Sequence, residues 1–231
     1  MIPLVISLSI LILAVVFHEM AHFALARVQG LVPEQFAIGF PIKPFYKGRF
    51  GATEFILSPW LIGGGVRLDP KKLDQLSYPR QFLIFVAGPA ANFSLALIAA
   101  ALVLGPVDSV AVNQEMSSST ITAIGMIGSG DVELGQIGGP VALLRMTCQI
   151  ISIDPHLGSL LVFVLINTSL GVMNLLPIPA LDGGHIFIDG FRVLLGKKSR
   201  TGQALAYSHF FSFYLLFGVM GLLTVKDIFT H

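Results

Sequence analysis

Four runs of 20 or more mostly apolar residues, at about 3–28, 81–104, 157–176 and 204–225, constrain this chain more than any other feature. A hydrocarbon core of about 30 Å needs about 20 such residues as a helix, because only helices or closed barrels satisfy the backbone in lipid. The composition agrees: 12% of residues are charged and mean hydropathy is +0.81, against about 25% charged in soluble domains. A fifth run, 141–153, is too short to span and contains Arg145, so it reads as an interfacial helix. The fold class expected is a polytopic α-helical membrane protein with about four transmembrane helices. The first run has no basic start, and no small-residue cleavage pattern follows it, so it reads as a retained helix rather than a signal peptide. Net charge is +1, which implies no bulk attraction to nucleic acid. The single cysteine, Cys148, excludes an internal disulfide.

Lys and Arg set orientation. Arg27, Lys43, Lys47, Arg49, Arg67, Lys71, Lys72 and Arg80 lie between the first and second helices. Residues 105–140 have none, and Arg192, Lys197, Lys198 and Arg200 follow the third helix. The first and third connections are therefore assigned to the cytoplasm, and both chain ends and segment 105–140 to the outside. Between residues 36 and 68, short runs of aromatic and branched residues are punctuated by glycine. They read as a small membrane-associated β-sheet between helices 1 and 2. Residues 117–136, rich in Ser, Thr and Gly, are expected to form a short hairpin or a flexible loop.

The first helix carries His18-Glu19-Met20-Ala21-His22, an H-E-x-x-H motif. Residues four apart on a helix lie about 6 Å apart along one face, so both imidazoles reach one metal ion, with Glu19 beside them to take a proton from water. Zn2+ suits two nitrogens, one oxygen and an open position. Three ionisable groups about 22 Å along a membrane helix mark function, because an unpaired charge at the bilayer centre costs at least about 2.5–3.5 kcal/mol.

A further ligand is needed. Cys148 reads as buried filler, His156 lies at the outer side, His209 near the cytoplasmic edge and His231 in the tail. Asp182 follows the third helix in a segment broken by Pro177 and Pro179 and followed by Gly183-Gly184, which would allow tight turning. It is either a metal ligand or the cap of a following helix. Gly88-Pro89-Ala90-Ala91-Asn92 reads as a small-residue packing surface opening the second helix, with Asn92 in reach of a hydrogen bond near the site.

The chain resembles the site-2 protease family of intramembrane zinc metalloproteases, closest to the bacterial branch that cleaves anti-sigma factors and signal-peptide remnants. The resemblance rests on HEMAH at 18–22, FAIGF at 36–40, GATEFILSPWLIGGGVRL at 51–68, FVAGPAANF at 85–93, GGP at 138–140 and NLLPIPALDGGH at 174–185. It implies that His18, His22 and Asp182 hold zinc and Glu19 is the general base. It implies also that Asn174 helps hold substrate or the oxyanion, and that residues 51–68 bind substrate as an added strand. It implies a single metalloprotease domain over 1–231: helix 1 about 3–28, β region 36–68, helix 2 about 81–104, extracytoplasmic segment 105–140, interfacial helix 141–153, helix 3 about 157–176, LDG loop 177–185, helix 4 about 204–225. Members of this branch often carry PDZ domains between helices 2 and 3. The 36 residues from 105 to 140 are too few for a domain, so the chain resembles a short form in which a regulatory partner or the 105–140 segment itself takes that role.

The function implied is hydrolysis of a peptide bond within or near the transmembrane segment of a single-span protein, in a bacterial plasma membrane, with the site toward the cytoplasmic side. A helical substrate hides its backbone, so local extension against a free sheet edge is required. Gly63-Gly64-Gly65 either permits that close approach or forms an ordinary turn. The alternative functions are a metal-binding membrane transporter, which four helices without an inverted repeat do not favour, and a non-catalytic zinc-stabilised membrane scaffold.

Overall fold

The computed structural model describes residues 1–40, 43–132, 137–196 and 203–229. Eight helices and four strands follow in the order α1 Ile2–Val28, β1 Gln35–Phe40, β2 Tyr46–Phe50, β3 Thr53–Leu57, β4 Trp60–Arg67, α2 Pro70–Leu73, α3 Tyr78–Leu104, α4 Pro106–Ser129, α5 Pro140–Ile153, α6 Pro155–Asn174, α7 Asp182–Leu194 and α8 Gln203–Phe229. Among the described residues, α1, α3, α6 and residues Phe211–Phe229 of α8 are long and apolar enough to cross a membrane. Proline opens α2, α4, α5 and α6, at a position where its missing N–H is not needed. The basic cluster Lys197, Lys198 and Arg200, His231 and the side chain of His209 lie outside the described residues.

The chain divides into two compact units, one of residues 12–92 and 173–210, the other of residues 1–11, 93–172 and 211 onward. The first holds the sheet, in the order β2-β3-β1-β4. Strand β1 runs parallel to β3 and antiparallel to β4, and β2 is antiparallel to β3. Phe23 of α1, Phe36 of β1 and Phe55 of β3 form an aromatic cluster with ring centroids 5.7–6.1 Å apart. A second cluster of Ala26, Leu31, Leu73 and Ile84 ties the end of α1 to α3.

In the other unit, Ala96 and Ala100 of α3 pack on Val164 of α6, with Val112 and Met116 of α4 against them. This corrects the hairpin or loop expected at 117–136: helix α4 runs on to Ser129 and ends at Gly130 in a left-handed cap. Its small polar residues turn back on their own helix: Ser117 Oγ donates to the Asn113 carbonyl at 2.7 Å and Thr120 Oγ1 to that of Met116 at 2.8 Å. Self-satisfied in this way, Ser and Thr are tolerated in a helix. Residues 133–136 lie outside the described residues.

A second correction falls on the loop expected at 177–185. The irregular segment ends at Leu181, extended at φ −110°, ψ 166°, and Asp182 opens α7. Gly183 and Gly184 are helical. They serve close approach rather than a turn: a Cβ on Gly183 would lie 2.3 Å from the Leu175 carbonyl, and one on Gly184 2.1 Å from the Ile178 oxygen. Gly184→Ala should therefore destabilise the fold by about 1–3 kcal/mol, the usual cost of forcing a methyl into packed backbone. Gly125→Ala, where a Cβ meets open space, should be neutral or mildly stabilising by helix propensity. Thermal unfolding in detergent distinguishes the two.

Candidate metal centre

The unit that holds the sheet also gathers the sequence-nominated groups. His18, Glu19 and His22 lie in the second half of α1, each buried. The i, i+4 spacing sets the two imidazoles on one face, edge-on at 74° with ring centroids 4.7 Å apart. Asp182 comes from the first turn of α7, half-buried. Its Oδ2 lies 3.1 Å from His18 Nε2 and 3.2 Å from His22 Nε2, and the two Nε2 atoms are 3.1 Å apart.

The outer nitrogens fix which inner atoms are free. His18 Nδ1 faces Asn92 Oδ1 at 2.5 Å, and His22 Nδ1 faces the Ile84 carbonyl at 2.7 Å. Both partners only accept, so each Nδ1 carries the proton and each Nε2 turns a lone pair inward, the usual arrangement behind a metal-bound histidine. Asn92 is fully buried and anchored by its own donation to the Ala14 carbonyl at 3.2 Å. Two lone pairs and a carboxylate converging at 3.1–3.2 Å repel one another unless a cation lies between them. Ligands placed 2.0–2.1 Å from a tetrahedral zinc ion lie about 3.3 Å apart. The donor set therefore fits zinc in chemistry and in spacing.

Two glycines make the space. A Cβ on Gly88 of α3 would lie 2.2 Å from His22 Nε2 and 2.5 Å from His18 Nε2. A Cβ on Gly64 of β4 would lie 2.7 Å from Glu19 Cγ. So β4, an edge strand among the described residues, passes directly beside Glu19, whose buried carboxylate accepts no hydrogen bond from another described residue.

Among the other nominated residues, Gly64 reaches the centre. Gly63, at φ +91°, and Gly65 line the same strand with open space over their Cα atoms. Asn174 closes α6 and is half-buried. Cys148, in the other unit, contacts Ser7 at 3.9 Å. The Gly88–Asn92 cassette lies within α3 rather than at its start, and Asn92 positions a ligand rather than only packing. Sequence reading also passed over His185, which stacks on Phe85 with centroids 4.6 Å apart and rings 2° from parallel. That stack packs the first turn of α7 against α3.

Gly88→Ala should abolish metal retention, because the added methyl occupies the space between the two Nε2 atoms. Asn92→Ala should lower zinc affinity by about 10–100-fold, as loss of a partner behind a ligand usually does. Metal-competition titration of the purified variants checks both.

Comparison with known proteins points to zinc metalloproteases. A Clostridium perfringens protein inferred to be a zinc metalloprotease is 34% identical over 117 residues, covering 50% of this chain and 34% of the relative. The zinc metalloprotease RasP of Shouchella clausii is 33% identical over 114 residues, covering 49% of this chain and 27% of RasP. The chain thus aligns with about a third or less of the length of these two. A Clostridium acetobutylicum protein of the same inferred activity is 23% identical over 322 positions, covering 93% of this chain and 94% of the relative. That alignment is longer than this 231-residue chain, so the relative carries additional inserted sequence. Residues 6–217, most of the sequence, match the model of peptidase family M50, and the chain belongs to that family.

Proposed function

We propose that the chain is a zinc-dependent endopeptidase that hydrolyses a peptide bond within or near the transmembrane segment of a single-span membrane protein. The observation that carries this reading is the buried Glu19 carboxylate, which lies next to His18 on α1 and against Gly64 of the β4 strand, beside the converging ligand atoms of His18, His22 and Asp182. His18, His22 and Asp182 would hold the metal. Bound there, zinc supplies a Lewis acid that polarises a carbonyl and acidifies water.

The chain's own groups do the rest. Glu19 takes the proton of the attacking water and passes it to the leaving amide nitrogen. Asn92 and the Ile84 carbonyl keep both imidazoles in one tautomer throughout. Asn174 offers an amide donor to the substrate or to the developing oxyanion. The β4 edge, through Gly63, Gly64 and Gly65, takes the unwound substrate as an added strand, replacing the hydrogen bonds lost when its helix opens. A side chain on Gly64 would push that strand off Glu19. A transporter or an inert scaffold requires no carboxylate beside the two histidines, where Glu19 lies.

A bacterial plasma-membrane location is part of this reading, and the distribution of Lys and Arg supports both chain ends outside and the centre toward the cytoplasmic side. Anti-sigma factors and signal-peptide remnants are the substrates of this reading. With only 36 residues from 105 to 140, a separate regulatory partner supplies any substrate filter.

Glu19→Gln should cut cleavage of a single-span substrate by about 10²–10⁴-fold while one zinc per chain stays bound. Asp182→Ala should lose both cleavage and zinc. A cleavage assay beside metal analysis checks the pair, and undiminished cleavage by Glu19→Gln would remove the assigned base.

A further inference from the structure

Asp182 has weaker local support than the two histidines. His18 and His22 lie inside the 27-residue helix α1, whereas Asp182 opens α7 after the irregular residues 175–181. Its own turn is poorly held. Gly183 and Gly184 follow it, and glycine is a poor helix former. The backbone bond that closes the turn, from the His185 N–H to the Leu181 carbonyl, is 3.4 Å long, at the weak end of the range. The two glycines let the turn approach the backbone of Leu175 and Ile178, but they have no side chain to fix its rotation. The first residue after Asp182 that has one is His185.

Three residues on, His185 lies on the same side of α7 as Asp182. Its ring is flat against Phe85, with centroids 4.6 Å apart and planes 2° from parallel. Phe85 belongs to the stretch of α3 that holds the other two ligands. The Ile84 carbonyl accepts from His22 Nδ1, Asn92 Oδ1 accepts from His18 Nδ1, and Gly88 clears the space at both Nε2 atoms. Residues 85, 88 and 92 share one face of α3. The stack therefore ties the third ligand to the same face as the first two. Tyr78 Oη donates to the Ile186 carbonyl at 3.1 Å, a second tie between α3 and α7 that does not depend on the stack.

We propose that His185 is the positioning residue for Asp182: its ring, flat on Phe85, fixes the rotation of the first turn of α7 and so keeps the Asp182 carboxylate at the two Nε2 atoms. The flat face of the ring does this, by parallel aromatic contact, rather than a ring nitrogen. Without it, a turn of two glycines closed by a long backbone bond leaves the carboxylate free to swing away. His185 acts through Asp182, and the inference rests on His18, His22 and Asp182 being the ligands.

The test measures zinc affinity of the full chain in detergent, by competition with a chelator of known affinity. It also records the visible absorption of the cobalt-loaded protein, which reports coordination geometry. His185→Ala should weaken zinc binding about ten-fold or more, the usual loss when a group behind a ligand is removed, and should alter the cobalt spectrum. His185→Phe, which keeps a flat ring without a nitrogen, should restore both. His185→Gln, which keeps a polar group without the ring, should restore neither. Phe85→Ala should match His185→Ala, and the double variant should lose little more than either alone, because the two rings form one contact. If His185→Ala does not fold, the Phe and Gln variants decide. Wild-type affinity in His185→Ala would overturn the proposal, as would failure of His185→Phe to recover, recovery in His185→Gln, or additive losses in the double variant. Asp182→Ala separates this from the ligand assignment. Zinc kept there removes Asp182 from the ligand set, whereas zinc lost there and held at full affinity in His185→Ala removes the role of His185 alone.

Discussion

Two imidazoles and a carboxylate converge on one point inside a helix-rich, apolar chain, and the other features of the site follow from holding them there. Each group alone is costly in lipid. Together they are stabilised by a metal ion or a shared proton between them, provided that their outward atoms are satisfied. Asn92 and the Ile84 carbonyl supply that satisfaction from a single helix, α3. The same helix provides Gly88, the missing side chain that leaves room at the ligand atoms. Helix α3 is thus the wall of the centre, although it contributes no ligand. Pro89 fits this role: it has no N–H for the carbonyl one turn earlier, and a helix carrying small and imperfectly bonded residues can approach α1 closely.

The sheet answers a different physical difficulty. A peptide bond in a membrane helix is masked by its own hydrogen bonds, and exposing it without a replacement partner leaves polar groups unsatisfied in an apolar medium. In the proposed reaction, an edge strand beside Glu19 would supply that replacement. Gly64 lets the strand lie against Glu19 without displacing it. The mixed order β2-β3-β1-β4 leaves the glycine-rich strand at one edge and the aromatic, basic strand at the other.

Much of this was legible in the sequence because its signals are local. The i, i+4 histidines need only helical periodicity, which a long apolar run guarantees. Asp182 stood out as a carboxylate in a proline-broken segment near a membrane helix. What the sequence concealed depends on distant pairing. Asn92 stands out as the one amide in a run of small residues, but its partner, His18, lies 74 residues away, and the run does not show which group it meets. The helix at 117–129 was hidden because Ser, Thr and Gly favour turns when unpartnered; here their hydroxyls bond back along the helix and Val112 and Met116 pack on α3 and α6. Gly183 and Gly184 suggested a turn for the same reason, while their contacts with Leu175 and Ile178 show that they admit close backbone packing.

X-ray absorption at the zinc edge, on protein loaded with one equivalent of zinc in lipid, tests the central claim most directly. The expected spectrum has a four-coordinate shell of light atoms at about 2.0–2.1 Å, with the outer-shell scattering of two imidazoles and one of them lost in His22→Ala. A shell containing sulfur, or one with no imidazole scattering, would contradict a centre built from His18, His22 and Asp182.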